Sequence, residues 1–196
     1  MITFIVPTLG RETLSNTIDS LINQCDCDWK AIVVFDGVPK INYTDNRITS
    51  FSIDKAGIKN HAGQVRNAAF NLVTTEWIAF VDDDDTLSPD YVNKFKEEIA
   101  LNPKAKCIIF RMKTKYDPDK VLPAPHHNNF LKNKVGISFA IKKDINILFE
   151  PSLVEDFVLL DKIRSENHKM VISPYVTYFV RELPCDMPTY KRVYIN

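Results

Sequence analysis

Three apolar runs in the first half of this 196-residue chain each stop abruptly in polar residues, with helical stripes between them. Residues 3–6 are apolar and rich in strand-favouring residues, and Pro7 closes the run because it offers a sheet no backbone donor. Residues 29–35 contain Ala31-Ile32-Val33-Val34-Phe35, a continuous apolar stretch of the kind buried on both faces, ending at Asp36-Gly37. Residues 77–81 repeat the pattern and run straight into Asp82-Asp83-Asp84-Asp85. Leu14, Ile18, Leu21 and Ile22 recur at helical spacing after the first run, and Val65, Ala69, Leu72 and Val73 after the second. A weaker strand is expected over 47–53. This alternation predicts an α/β fold, a single domain with a mostly parallel central sheet flanked by helices. Right-handed crossovers place the C-terminal strand ends along one edge, where open sheets of this class hold ligands. Pro7-Thr8, Asp36-Gly37 and the acidic run therefore converge.

The second half is less regular. Ser88, Pro89 and Asp90 read as an N-cap, a first helical position and an acid favoured by the helix dipole, opening a helix to about residue 100. Residues 106–112 and 135–141 read as strands, 155–166 as a helix, and 169–181 as a strand broken near Pro174. Residues 113–134 carry Pro118, Pro123, Pro125, His126 and His127 without periodicity and are expected to form a long loop. His126 and His127 offer a metal ligand or a phosphate contact there, against the plainer reading of exposed loop histidines. His61 and His168 read as surface residues.

Composition narrows the function. Lys+Arg and Asp+Glu are 25 each, and a net charge of zero argues against a broad nucleic-acid or anionic-membrane surface. No apolar run approaches the roughly 18 residues that span a bilayer, and the N-terminus turns polar too soon for a secretory signal. Cys25, Cys27, Cys107 and Cys185 lack the paired spacing of a zinc knuckle. Reduced thiols and a cytoplasmic location are the expectation.

The acidic run carries the chemistry. In an extended chain Asp82 and Asp84 would share one face, with Asp83 and Asp85 on the other. Like charges this close raise a pKa unless a cation neutralises them. Hard carboxylate oxygens suit Mg²⁺ or Mn²⁺ held jointly with substrate phosphates. Such a cation stabilises a departing nucleoside diphosphate as a Lewis acid. A solvated acidic turn is the bland alternative, and the glycine and terminal glutamate of a calcium-binding EF-hand are missing. The segment also satisfies the D-x-D-x-T pattern of haloacid-dehalogenase-like phosphatases, with Asp82 as nucleophile and Asp84 as acid. That family places the motif on its first strand, whereas here it ends the third or fourth.

Six segments in order, IVPTLGRETLSNTIDSLINQ, AIVVFDG, AGQVRNAAFNLV, WIAFVDDDDTLSPDYV, VGISFAIKK and VEDFVLLDKI, resemble the family 2 glycosyltransferases of GT-A fold. The resemblance implies a metal-dependent enzyme moving a sugar from a nucleotide-sugar donor, of the UDP type, to a glycan or other hydroxyl acceptor, with inversion. It implies that Pro7, Thr8 and Arg11 line the nucleobase, that Asp36 contacts base or ribose, and that Arg66, near a helix N-terminus able to donate to anions, suits the diphosphate. The family's Asp-x-Asp-Asp pattern falls on Asp82, Asp84 and Asp85. Asp84 is thereby the leading Mn²⁺ or Mg²⁺ ligand with Asp82 and Asp85 beside it, and Asp83 fills the variable position of the donor site. Glu155-Asp156 resembles the family's acidic pair, with Asp156 as the base that takes the acceptor proton and Glu155 supporting it or touching acceptor. Residues 1–88 would form the nucleotide-sugar half and 89–196 the acceptor half. The Gln-x-x-Arg-Trp signature of processive members is absent. Tyr178 and Arg181 weakly resemble a terminal strand ending in Arg in some relatives. A nucleotidyltransferase is the other enzyme class considered, but residues 7–11 are too poor in glycine for its phosphate loop. A non-catalytic sugar-binding module would need no Glu155-Asp156 pair.

Overall fold

The computed structural model describes residues 1–57, 61–127, 129–181 and 192–195, and of Pro118 the backbone alone. The first half builds β1 (Ile2–Thr8), α1 (Leu14–Ile22), β2 (Trp29–Asp36), β3 (Ile48–Ile53), α2 (Gly63–Ala69) and β4 (Trp77–Phe80). A 3₁₀ turn, Phe70–Leu72, prolongs α2. The second half adds β5 (Asp85–Leu87), α3 (Tyr91–Leu101), β6 (Cys107–Thr114), β7 (Asp117–Leu122), β8 (Phe139–Lys142), α4 (Glu155–Ser165), β9 (Met170–Val180) and β10 (Val193–Ile195).

One sheet carries all the strands in the order β10-β9-β6-β8-β4-β1-β2-β3, with β5 on β9 and β7 on β6. The run β3-β2-β1-β4 is parallel throughout, as the apolar strands of the first half require. β8 enters antiparallel between β4 and β6, so the sheet as a whole is mixed. Every side chain of β1 is buried, and so is every one of β2 except Lys30. α1 covers one face with Leu14, Thr17, Ile18 and Leu21. Aromatic side chains fill the core edge to face: Phe4 meets Trp29 and Tyr91, and Phe80 meets Phe139 and Phe149.

Four local expectations change. The acidic run is not extended: the Asp85 N–H donates to the Asp82 carbonyl at 3.1 Å, so the chain turns and strand alternation does not apply. α3 begins at Tyr91, beyond Pro89, and the Ser88 side chain does not cap it. Gln24, from the end of α1, does that work at long range. Its Oε1 accepts the Val92 N–H at 3.1 Å, and its Nε2 donates to the Ser88 carbonyl at 2.7 Å. Part of 113–134 is a hairpin, since β6 continues to Thr114 and β7 returns on it through a turn at Tyr116. Its exposed, charged residues leave no apolar period to read. β9 passes unbroken through Pro174, because its pairing with β6 jumps from Ile109↔Ile172 to Arg111↔Val176 and the irregularity absorbs the proline.

Among the described residues no helix is long and apolar enough to cross a membrane. Cys25, Cys27 and Cys107 are free thiols, and Cys185 lies outside the described residues.

Candidate active site

The C-terminal ends of β1, β2 and β4 open onto a cleft of about 520 Å³. Pro7, Thr8, Arg11 and Asp36 line it from β1 and β2, and Arg66 from α2. Asp82, Asp83 and Asp84 follow β4, while Glu155 and Asp156 enter from the first turn of α4. Asp85 is not among the lining residues. It is buried instead, bonded to the Tyr178 hydroxyl and the Arg181 N–H. His61 lines the cleft despite its surface-like setting in the sequence, whereas His126 and His127 pack against each other elsewhere.

The four aspartates have four different environments. Asp82 Oδ1 lies 2.5 Å from Arg66 Nη2. Asp83 accepts from Thr8 Oγ1 at 2.6 Å, the Leu9 N–H at 3.3 Å and Arg11 Nη1 at 3.0 Å, locking the end of β1 to the end of β4. Burial pushes its carboxyl above the usual range, against the pull of Thr8 and Arg11. Asp84 Oδ2 accepts from Arg181 Nε at 2.7 Å and lies 3.6 Å from Arg11 Nη1. Asp85 accepts from the Tyr178 hydroxyl at 2.7 Å and the Arg181 N–H at 3.0 Å. Burial, reinforced by the charge of Asp82, pushes its carboxyl up to about 8.

Arg66 joins the two acidic segments. Its side chain is only 3% exposed, and its Nη1 meets Glu155 Oε1 at 2.5 Å while Nη2 meets Asp82. The Phe149 ring lies 5.2 Å from the guanidinium. Burial works against its charge, but Asp82, Asp156 and Glu155 outweigh it and hold the group firmly protonated. Glu155 also accepts the N–H groups of Ala62 at 3.1 Å and Gly63 at 2.9 Å. The α2 N-terminus thus already holds a carboxylate from its own chain, and its first donors are not free for a substrate phosphate. A Cβ at residue 63 would come within 2.6 Å of Glu155 Oε2, so glycine makes this approach possible.

Beside this network stands Asp156. Its Oδ1 is shielded from solvent, and no hydrogen-bond partner reaches it among the described residues. Burial pushes its carboxyl up to about 7; Arg66 opposes the shift, while Asp82 and Glu155 add to it. A carboxyl poised there can take a proton near neutral pH. At the other end of the cleft Asp36 accepts from Lys55 Nζ at 2.6 Å, the Ala56 N–H at 2.6 Å and the Gly57 N–H at 3.1 Å. These bonds outweigh its burial and hold the carboxyl below the usual range.

Sequence reasoning missed Lys55 altogether and barely registered Tyr178 and Arg181. Lys55 sits in a polar loop with no motif to mark it. Arg181 was legible only as the basic residue that ends an apolar strand.

Among the described residues no group of three or more His, Cys, Asp or Glu side chains converges on a point where a metal ion would sit. Asp82 and Asp84 do present oxygens to the cleft, with 37% and 17% of their side chains exposed. A hard cation shared with a diphosphate needs only one or two protein carboxylates. The donor set fits a cation whose coordination the substrate completes.

Comparison with known proteins bears on the family and the fold. The model of the family described as "Glycosyl transferase family 2" matches residues 3–164. An uncharacterized glycosyltransferase of Haemophilus influenzae is 26% identical over 161 residues, covering 74% of this chain and 54% of that protein. The chain thus spans about half the length of this curated relative. Among solved structures, S. aureus TarS 1–349 superposes with a TM-score of 0.69 at 18% identity, over 91% of this chain and 60% of the other. TarS 1–349 in complex with UDP-GlcNAc gives a TM-score of 0.70 at 16% identity, over 94% and 59%. At these identities the likeness is one of fold.

Proposed function

The chain belongs to glycosyl transferase family 2, and on that premise we propose that it moves a sugar from a UDP-sugar donor to a hydroxyl of a glycan or other acceptor, with inversion. The observation that carries the reading is a single cleft lined by the part-exposed Asp82 and Asp84 and by the unpartnered, neutral-range carboxyl of Asp156. The donor complex of the TarS relative, with UDP-GlcNAc, supports the choice of nucleotide.

In this reading Pro7, Thr8, Arg11 and Asp36 frame the nucleobase and ribose, with Lys55 fixing Asp36. Asp84, with Asp82 beside it, would hold a Mn²⁺ or Mg²⁺ ion, which would neutralise charge on the diphosphate. Asp83 and Asp85 serve the scaffold: Asp83 fastens the β1 end, and Asp85 anchors Arg181, the first residue after β9. Arg66 and Glu155 are positioning residues that hold Asp82 and the start of α4 in place. The acceptor hydroxyl gives its proton to Asp156 as its oxygen bonds to the anomeric carbon. The bond from that carbon to the diphosphate oxygen breaks with its electron pair, and attack from the opposite face inverts the centre. Residues 1–88 then act as the donor half and 89–196 as the acceptor half. Neither the phosphatase nor the nucleotidyltransferase reading is supported by the family match.

Calorimetric titration of UDP with and without Mn²⁺ tests the proposal. Binding is expected to require the metal and to vanish in Asp84→Ala. Metal-independent binding that Asp84→Ala leaves unchanged would refute it.

A further inference from the structure

We infer that Arg181 is a resident stand-in for the divalent cation at Asp84 and must leave that carboxylate for the cation to bind. The inference rests on the proposed cation-assisted reading and deepens it. Arg181 is the first residue after β9, and its φ of 53° is in the left-handed region that side chains rarely adopt. Two bonds fix it there: its N–H donates to Asp85 Oδ1 at 3.0 Å, and its Nε donates to Asp84 Oδ2 at 2.7 Å. Such a conformation persists only where the surroundings over-determine it.

The cations of the cleft differ in how easily they move. The Arg66 side chain is 3% exposed and gripped by two carboxylates, so stripping Asp82 of it would strand a buried charge. Arg181 is 50% exposed, and an exposed pair of this kind is weak and exchanges readily. Of the two proposed cation ligands, Asp84 is therefore the one whose protein cations, Arg181 and the part-exposed Arg11 at 3.6 Å, are readily displaced. A divalent ion on Asp84 Oδ2 would stand within a few ångströms of the guanidinium, and the two positive charges repel. A diphosphate arriving with the ion supplies negative charge that the released guanidinium can meet.

The exchange reaches a second element. Arg181 Nη1 also lies 3.3 Å from the hydroxyl of Tyr116, whose ring is 67% exposed at the tip of the β6–β7 hairpin. Departure of Arg181 from Asp84 unhooks this tip, so occupation of the donor site is communicated to the acceptor half.

The test is Mn²⁺ binding by the nucleotide-free protein, read from the electron paramagnetic resonance of free Mn²⁺. Arg181→Gly suits it, because glycine adopts a φ of 53° without strain. The variant is expected to bind Mn²⁺ about fivefold more tightly than wild type, the equivalent of an exposed pair of about 1 kcal/mol. Arg181→Lys, which keeps the charge, should stay within about twofold of wild type on the same scale. Adding UDP should also strengthen Mn²⁺ binding less in Arg181→Gly than in wild type. Unchanged or weaker Mn²⁺ binding by Arg181→Gly, with Asp84→Ala binding none, would overturn this inference and leave the cation reading standing. Mn²⁺ bound equally by wild type and Asp84→Ala would sink the cation reading itself.

Discussion

Replacing Glu155 by Gln separates two roles for the acidic pair, because the structure uses that carboxylate internally. Glu155 is buried, and its two oxygens serve three donors: the Ala62 N–H, the Gly63 N–H and Arg66 Nη1. Gln keeps the shape but offers one acceptor oxygen. Its NH₂ group would face a donor, and Arg66 would keep only Asp82 as a directly bonded anion. Breaking one partner of a buried pair costs about 3–5 kcal/mol, and the remaining Asp82 contact argues for the lower end, about 3 kcal/mol. For a domain of this size each kcal/mol lowers Tm by about 2–4 °C, so Glu155→Gln should melt about 6–12 °C below wild type. Differential scanning calorimetry measures this directly. A variant melting within about 2 °C of wild type, yet with weakened acceptor binding, would refute the reasoning and make Glu155 an acceptor ligand.

Asp156→Asn should bind UDP with Mn²⁺ as wild type does while losing transfer to acceptor, a split visible by comparing titration with product formation. Since Asp156 acts deprotonated and burial lifts its carboxyl to about 7, wild-type kcat/KM should fall as pH drops through about 7, and a profile flat down to pH 5 would count against it. Tyr178→Phe removes the hydroxyl that donates to Asp85 and accepts the Asp82 N–H. It should cost about 1–3 kcal/mol in urea unfolding, and no loss would mean that water replaces the hydroxyl.

The first half of the fold was legible because β1, β2 and β4 are buried on both faces. Continuous apolar runs such as 31–35 admit few other environments, and strand order then fixes where their polar ends meet. The acidic run was legible as a site but not in its geometry. Alternation along a strand presumes extended backbone, and the Asp85-to-Asp82 hydrogen bond replaces that with a turn. What each aspartate touches depends on Arg11, Arg66, Tyr178 and Arg181, which lie 72, 16, 93 and 97 residues from their partners. No local pattern encodes such pairings. The same limit hid the role of Gln24, which serves the start of α3 from the end of α1, and that of Glu155, which caps α2 from α4. The β7 arm of the hairpin escaped notice because residues 115–117, 119 and 120 around its turn are exposed and carry no apolar rhythm.

The short pairing of β5 with β9 constrains anyone who would re-engineer this protein. Asp85 is registered against Val180, so the segment that follows the acidic turn is stitched to the strand that delivers Arg181. A chimera that kept residues 1–88 and borrowed a foreign second half would cut through that seam, leaving Asp85 and Asp84 without their partners from β9. Acceptor preference is better altered by grafting the β6–β7 hairpin or the stretch before α4, with 170–181 retained to keep Asp84 and Asp85 paired.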